Sequence, residues 1–145
     1  LSGNRFLIGL GASGPQVVEG WHGVPYAKPI TRMREYIQIM RKIMERQGPV
    51  EFEGEIYQLP YRGPGSSGLG KPLKSILEAT PGIPIYCASF TPAGLGAAAE
   101  VADGVFPIWL APEKVDQIDR HLAELYPCQR MALIQQPQHI QRFTA

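Results

Sequence analysis

The run Ile83-Pro84-Ile85-Tyr86-Cys87-Ala88-Ser89-Phe90-Thr91-Pro92-Ala93-Gly94-Leu95-Gly96-Ala97-Ala98-Ala99-Glu100-Val101-Ala102-Asp103-Gly104-Val105 contains a whole strand–helix–strand unit. Ile83–Ala88 is a short apolar run rich in strand formers, the pattern of a strand buried on both faces. Pro84 lies near its start, where proline is tolerated. Ala93–Ala102 is built largely from glycine and alanine, so it predicts a helix whose axis can approach a sheet closely. Asp103-Gly104 makes the turn, and Val105–Leu110 predicts the next strand, with Pro107 awkward in its middle.

The same alternation continues on both sides of this unit. Pro112–Glu124 predicts an amphipathic helix with Val115, Ile118 and Leu122 on one face. Upstream, Arg5–Leu10 is a second apolar strand, and the Gly- and Pro-rich Gly11–Pro29 reads as a long loop. Ile30–Gln47 predicts a helix, with Ile30, Met33, Ile37, Met40 and Met44 in one stripe and Arg34, Glu35, Arg41, Lys42 and Glu45 mainly off it. Gly48-Pro49 should end it. Val50–Leu59 reads as a hairpin turning at Glu53-Gly54, and Tyr61–Lys71 as a flexible, glycine-rich link. Strands alternating with helices imply an α/β fold with a parallel sheet. Leu125–Ala145 breaks the pattern with five glutamines and two prolines, and reads as a loosely held tail. The opening Leu1-Ser2-Gly3-Asn4 runs almost at once into a strand and reads as a cut end.

Composition narrows the function classes. Across 145 residues, 14 Lys plus Arg balance 13 Asp plus Glu, so no electrostatic footprint for nucleic acid is expected. No apolar stretch nears the roughly 18–20 residues of a membrane span. Cys87 and Cys128 lack CxxC spacing and read as reduced thiols of a cytoplasmic protein. No His, Cys or Asp set has metal-ligand spacing, so no metal is expected.

Three segments carry candidate chemistry. Gly9-Leu10-Gly11-Ala12-Ser13-Gly14 matches GxGxxG after a strand. A dinucleotide site would need a helix to start at once and an acidic residue ending the next strand. Pro15, Gly20, Gly23, Pro25 and Pro29 argue against that helix, and Glu35 falls inside the next one. The glycines then mark either backbone passing close to a flat ligand or a simple turn. Ser89-Phe90-Thr91 joins a buried strand to a helix start, where free N–H groups and the helix dipole favour an anion. The alternative is that Ser89 or Thr91 merely caps the helix. Glu19-Gly20-Trp21-His22-Gly23 sets a carboxylate, an indole and an imidazole in one loop, and His22 is a candidate proton donor. Its alternative is an ordered loop with Trp21 packed on a rim.

Arg5–Gly11, the run Ser13-Gly-Pro-Gln-Val-Val-Glu-Gly-Trp-His-Gly23, and Ile83–Ser89 continuing to Ala102-Asp-Gly104 together resemble the luciferase-like monooxygenase family. The Ser13–Gly23 run is the most specific and resembles the branch that uses the deazaflavin coenzyme F-420 rather than FMN. The resemblance implies a partial (β/α)8 TIM barrel over residues 1–124, with Arg5–Leu10, Ile83–Ala88 and Val105–Leu110 as strands four to six and Val50–Leu59 as an inserted hairpin. Residues 125–145 would lie outside the family pattern.

It also implies that Ser89, Phe90 and Thr91 hold the cofactor phosphate, with Gly9, Gly11 and Ala12 near the ring. The implied reaction is hydride transfer between deazaflavin and a small organic substrate, in a soluble protein that can form homo-oligomers. An FMN-dependent monooxygenase is the alternative. A third reading is a non-catalytic remnant or cofactor-binding subunit, because three strands alone leave sheet edges unpaired.

Overall fold

The computed structural model describes residues 3, 5–78, 81–89, 91–106, 112–114, 116–117, 120, 123 and 132–133. Two compact units divide the chain, one made of residues 1–11 and 83–145, the other of residues 12–82.

The first unit holds β1 (Ile8–Gly11) and, among the described residues of the second half of the chain, five further elements; the strands and helices of the intervening residues take the labels between. A four-stranded sheet runs in the order β1, β4 (Ile85–Ala88), β5 (Gly104–Phe106) and β6 (Ala132–Leu133). Every neighbouring pair is parallel. Successive strands therefore step across the sheet in one direction, with no reversal. A doubly wound fold reverses at its switch point. One-directional winding instead keeps crossover helices on one face and leaves the other to close on itself as a barrel.

Register sorts the side chains accordingly. Ile8, Leu10, Ile85, Cys87 and Val105 alternate with Gly9, Gly11, Tyr86, Ala88, Gly104 and Phe106. Ile85 and Val105 are 0% exposed, so the first set forms the helix-side core. There α3 (Pro92–Val101) packs against β5 and buries Leu95, Gly96, Ala97, Ala98 and Ala99. With no side chain beyond a methyl group at four of those five positions, the helix backbone can sit close to the sheet. Asp103 fixes where the crossover ends. Its carboxylate accepts from the Ile85 N–H at 2.7 Å, and its own N–H donates to the Ile85 carbonyl at 2.8 Å.

Strand β5 is described over Gly104–Phe106; Pro107–Leu110 of the expected Val105–Leu110 strand fall outside the described residues. The expected helix at Pro112–Glu124 opens with a 3-10 turn at Pro112–Lys114, and Asp116, Gln117, Arg120 and Ala123 are helical. Within the segment read as a tail, Ala132–Leu133 adds a parallel strand beside β5.

The second unit corrects two local readings. Gly11–Pro29 is not loop throughout, since Pro15–Gly20 forms helix α1. Pro15 occupies its first turn, where the missing N–H costs nothing, and the Gly14 carbonyl accepts from the N–H groups of Val17 and Val18. Helix α2 spans Pro29–Glu45 and stops at Arg46, held at φ 53°, before Gly48-Pro49 is reached. Ile37 and Met44 of the expected stripe are buried, joined by Ile39.

Glu35, expected off that stripe, is only 7% exposed. Its carboxylate accepts from the N–H groups of Glu55 at 2.6 Å, Ile56 at 3.0 Å and Tyr57 at 2.9 Å. Those donors belong to the turn of the hairpin formed by β2 (Phe52–Glu53) and β3 (Gln58–Leu59). The turn is therefore longer than Glu53-Gly54 and is closed by the Gly54 N–H donating to the Tyr57 carbonyl at 2.8 Å. A Cβ at Gly54 would overlap the Glu35 carboxylate, so glycine is required by close approach. The 61–71 link carries its own ties, among them Tyr61 Oη to the Pro64 carbonyl and Ser66 Oγ to the Tyr61 carbonyl.

Candidate functional site

In a parallel sheet with helical crossovers, ligands meet the C-terminal ends of the strands. In the first unit those ends are Gly11, Ala88 and Phe106, which share one register row. Ala88 leads directly to Ser89 and, two residues on, to Thr91 at the cap of α3. Of the expected phosphate-holding residues, Phe90 lies outside the described residues.

The helix-capping reading of Thr91 holds. Its Oγ1 accepts from the Gly94 N–H at 3.1 Å. A hydroxyl that accepts still has a proton to donate, so capping leaves Thr91 able to bind an anion's oxygen. The Ser89 N–H donates to the Phe106 carbonyl at 3.2 Å and is committed to the sheet. Ser89 therefore has its hydroxyl, not its amide, left to offer. That hydroxyl lies over the first turn of α3, where a Cβ built at Gly94 would overlap it. Pro92 begins the helix without an N–H, and the first turn carries no acidic side chain. The Gly94 N–H is taken by the Thr91 hydroxyl and the Leu95 N–H by the Thr91 carbonyl, so of the first-turn amides the Ala93 N–H is the one without an intrahelical partner. Two hydroxyls, the positive end of a helix and no nearby carboxylate in that turn make a donor set for an anion.

The glycines sit differently from one another. Gly9 and Gly11 are both exposed and lie on the sheet face opposite the helix-side core. A Cβ at Gly9 would touch Phe106 Cε2 at 3.5 Å, and one at Gly11 would touch the Ala88 Cβ at 3.4 Å. Both are ordinary contacts, so the protein's own packing forces neither glycine. Ala12 follows Gly11 and begins the second unit. Gly14 precedes α1, which has only six residues, and the next strand of the same sheet, β4, ends in Ala88 with no acidic residue. The dinucleotide requirement is unmet.

The Glu19–Gly23 cluster is not assembled as a catalytic group. Glu19 Oε1 accepts from the Tyr26 N–H at 3.1 Å, His22 is exposed on the turn after α1, and Trp21 is 83% exposed rather than packed on a rim. Among the described residues no cluster of His, Cys, Asp or Glu could hold a metal, and no helix is long and apolar enough to cross a membrane. Two features escaped the sequence reading. The Ser89–Gly94 contact had one signal, a glycine three residues after a helix-capping threonine. The reach of Phe106 toward Gly9 across β4 had none, because it depends on strand order.

Comparison with known proteins agrees with the parallel α/β fold. Residues 1–126 match the family model described as luciferase-like monooxygenase. A Mycobacterium tuberculosis protein named as a coenzyme F-420-dependent oxidoreductase is 45% identical over 125 residues, covering 86% of this chain and 36% of that protein. A 5,10-methylenetetrahydromethanopterin reductase of Archaeoglobus fulgidus is 36% identical over 106 residues, 72% of this chain and 27% of the reductase. The solved structure of an F-420-dependent secondary alcohol dehydrogenase with an F-420-acetone adduct is similar in fold, with TM-score 0.62 at 15% identity over 88% of this chain and 38% of that one. This chain thus spans well under half the length of the relatives it matches.

Proposed function

Because the chain belongs to the luciferase-like monooxygenase family, we propose that it carries the phosphate-holding centre of an oxidoreductase that uses coenzyme F-420. The substrate class is a small organic molecule, and the deazaflavin ring, when bound, supplies the hydride chemistry. The observation that carries this reading is the α3 start: the hydroxyls of Ser89 and Thr91 stand at the C-terminal end of β4 beside the positive end of α3, whose first turn carries no acidic side chain. Ser89, Phe90 and Thr91 would hold the anionic end, and Gly9, Gly11 and Ala12 would border the ring. The Mycobacterium tuberculosis relative supports the deazaflavin over FMN, since it is named for coenzyme F-420.

The protein's share is orientation and charge. Thr91 and Ser89 would donate hydroxyl protons to phosphate oxygens, while the α3 dipole offsets the negative charge. Titrating the purified chain with each cofactor, followed by cofactor fluorescence, tests the reading. Binding of F-420 that weakens at least several-fold in Thr91→Val supports it. Tight binding of FMN with none of the deazaflavin rejects it in favour of a monooxygenase.

A further inference from the structure

We propose that Phe106, whose ring edge borders the side-chain space left empty at Gly9, presents the surface on which the cofactor's flat ring rests, so that Gly9 acts through Phe106 and not by touching the ring. This rests on the deazaflavin reading above. Register puts Gly11, Ala88 and Phe106 in the row at the strand ends, on the same face as Gly9, Tyr86 and Gly104 one row below. Of these six residues only Tyr86 and Phe106 carry more than a methyl group, so they alone fill the face. Their rings lie 5.5 Å apart at 50°.

Strand β4 separates β1 from β5, yet the nearest atom to a Cβ built at Gly9 is Phe106 Cε2, at 3.5 Å. The edge of the Phe106 ring therefore leans from β5 over β4 toward β1 and borders the space a side chain at Gly9 would take. The Phe106 carbonyl also accepts from the Ser89 N–H, which ties the same residue to the loop proposed for the anion. A planar ligand anchored there and lying along this face meets an aromatic ring where Gly9 would otherwise be bare backbone. Aromatic faces reward offset stacking of a conjugated ring beyond simple area burial. Alanine at Gly9 would make only an ordinary contact with Phe106, whereas a branched side chain would push the ring off its seat.

The test titrates F-420, by its fluorescence, into the unchanged chain and into Phe106→Leu, Phe106→Trp, Gly9→Val and the double variant that combines Phe106→Leu with Gly9→Val. Phe106→Leu keeps bulk without a π face and should weaken binding about two- to tenfold, and Phe106→Trp should restore it. Gly9→Val should weaken binding to a similar extent but add little in the chain that already carries Phe106→Leu, because both changes remove one contact. Unaltered affinity in Phe106→Leu overturns the proposal, as does a Gly9→Val effect undiminished in the double variant. Should Phe106→Leu fail to fold, unaltered affinity in Gly9→Val overturns it. If the unchanged chain binds F-420 and Thr91→Val weakens it while Phe106→Leu does not, only this inference fails. No F-420 binding by the unchanged chain removes the deazaflavin reading and this one together.

Discussion

Glu35 concentrates more structural work than any other polar residue described in the second unit. Burial, the largest single influence, pushes its carboxyl upward, but the N–H groups of Tyr57, Glu55 and Ile56 together outweigh it and hold the carboxyl below its ordinary value of 4.5. Glutamine would turn one acceptor into a donor facing a donor, so Glu35→Gln should destabilise the fold by about 1–3 kcal/mol in urea titrations. The sign with pH follows from the lowered value. Stabilisation is fully present above 4.5 and is lost as pH falls through the folded pKa, so the gap between native and variant should close in acid. A constant gap down to about pH 3 would remove the charge from this account. Cys87 behaves oppositely: it is buried, and burial pushes its thiol up to about 11 from 9.0. In a Cys128→Ser chain, Cys87 should resist thiol reagents at neutral pH until denaturant is added. Its contribution to stability is present below 9.0 and fades as pH rises through about 11.

Among the elements, α3 joins packing to the site. Thr91→Ala removes the acceptor for the Gly94 N–H and should lower stability by about 1 kcal/mol while weakening F-420 binding. Gly94→Ala drives a methyl into the Ser89 hydroxyl; it should cost about 1–3 kcal/mol in thermal or urea melts and shift Ser89 from its position. If Gly94→Ala leaves both stability and binding unchanged, the Ser89 hydroxyl is not held as described. The sequence made α3 readable because Thr91-Pro92 is a start signal and its buried residues are small. It made β1 and β4 readable because short apolar runs between Gly and Pro have few other uses. It misread α1, because Pro15 after Gly14 looks like a breaker when it in fact sets the first helical φ. It also misplaced Glu35, because a carboxylate at a polar helix position gives no sign that a turn 20 residues later will aim three amides at it. Of the site, the loop after β4 was visible in residue types, whereas the seat for Phe106 emerges only once β1, β4 and β5 are placed side by side.

At the scale of the whole molecule, the parallel order β1–β4–β5–β6 defines a segment of barrel wall. Among the described residues, β1 pairs only with β4, so its other edge carries ladder groups without a strand partner. The six-residue face that would line a barrel interior is mostly glycine and alanine, which leaves little side-chain bulk to shield it. A closed barrel removes such edges, and an open one offers a template to another chain. An open β1 edge in the 145-residue chain would make it self-associate through β1, with sedimentation velocity showing a larger species as concentration rises. Replacing Leu7 with proline just before β1 leaves the helix-side core intact and takes one donor from the approach to that edge. It should shift the distribution toward monomer without loss of helical signal. A chain that stays monomeric at every concentration tested would mean that the β1 edge is already covered, and association would then give no reason to expect F-420 affinity to rise with protein concentration. Under the open-edge account it should rise, because pairing across β1 would build more of the wall on which the ring and Phe106 meet.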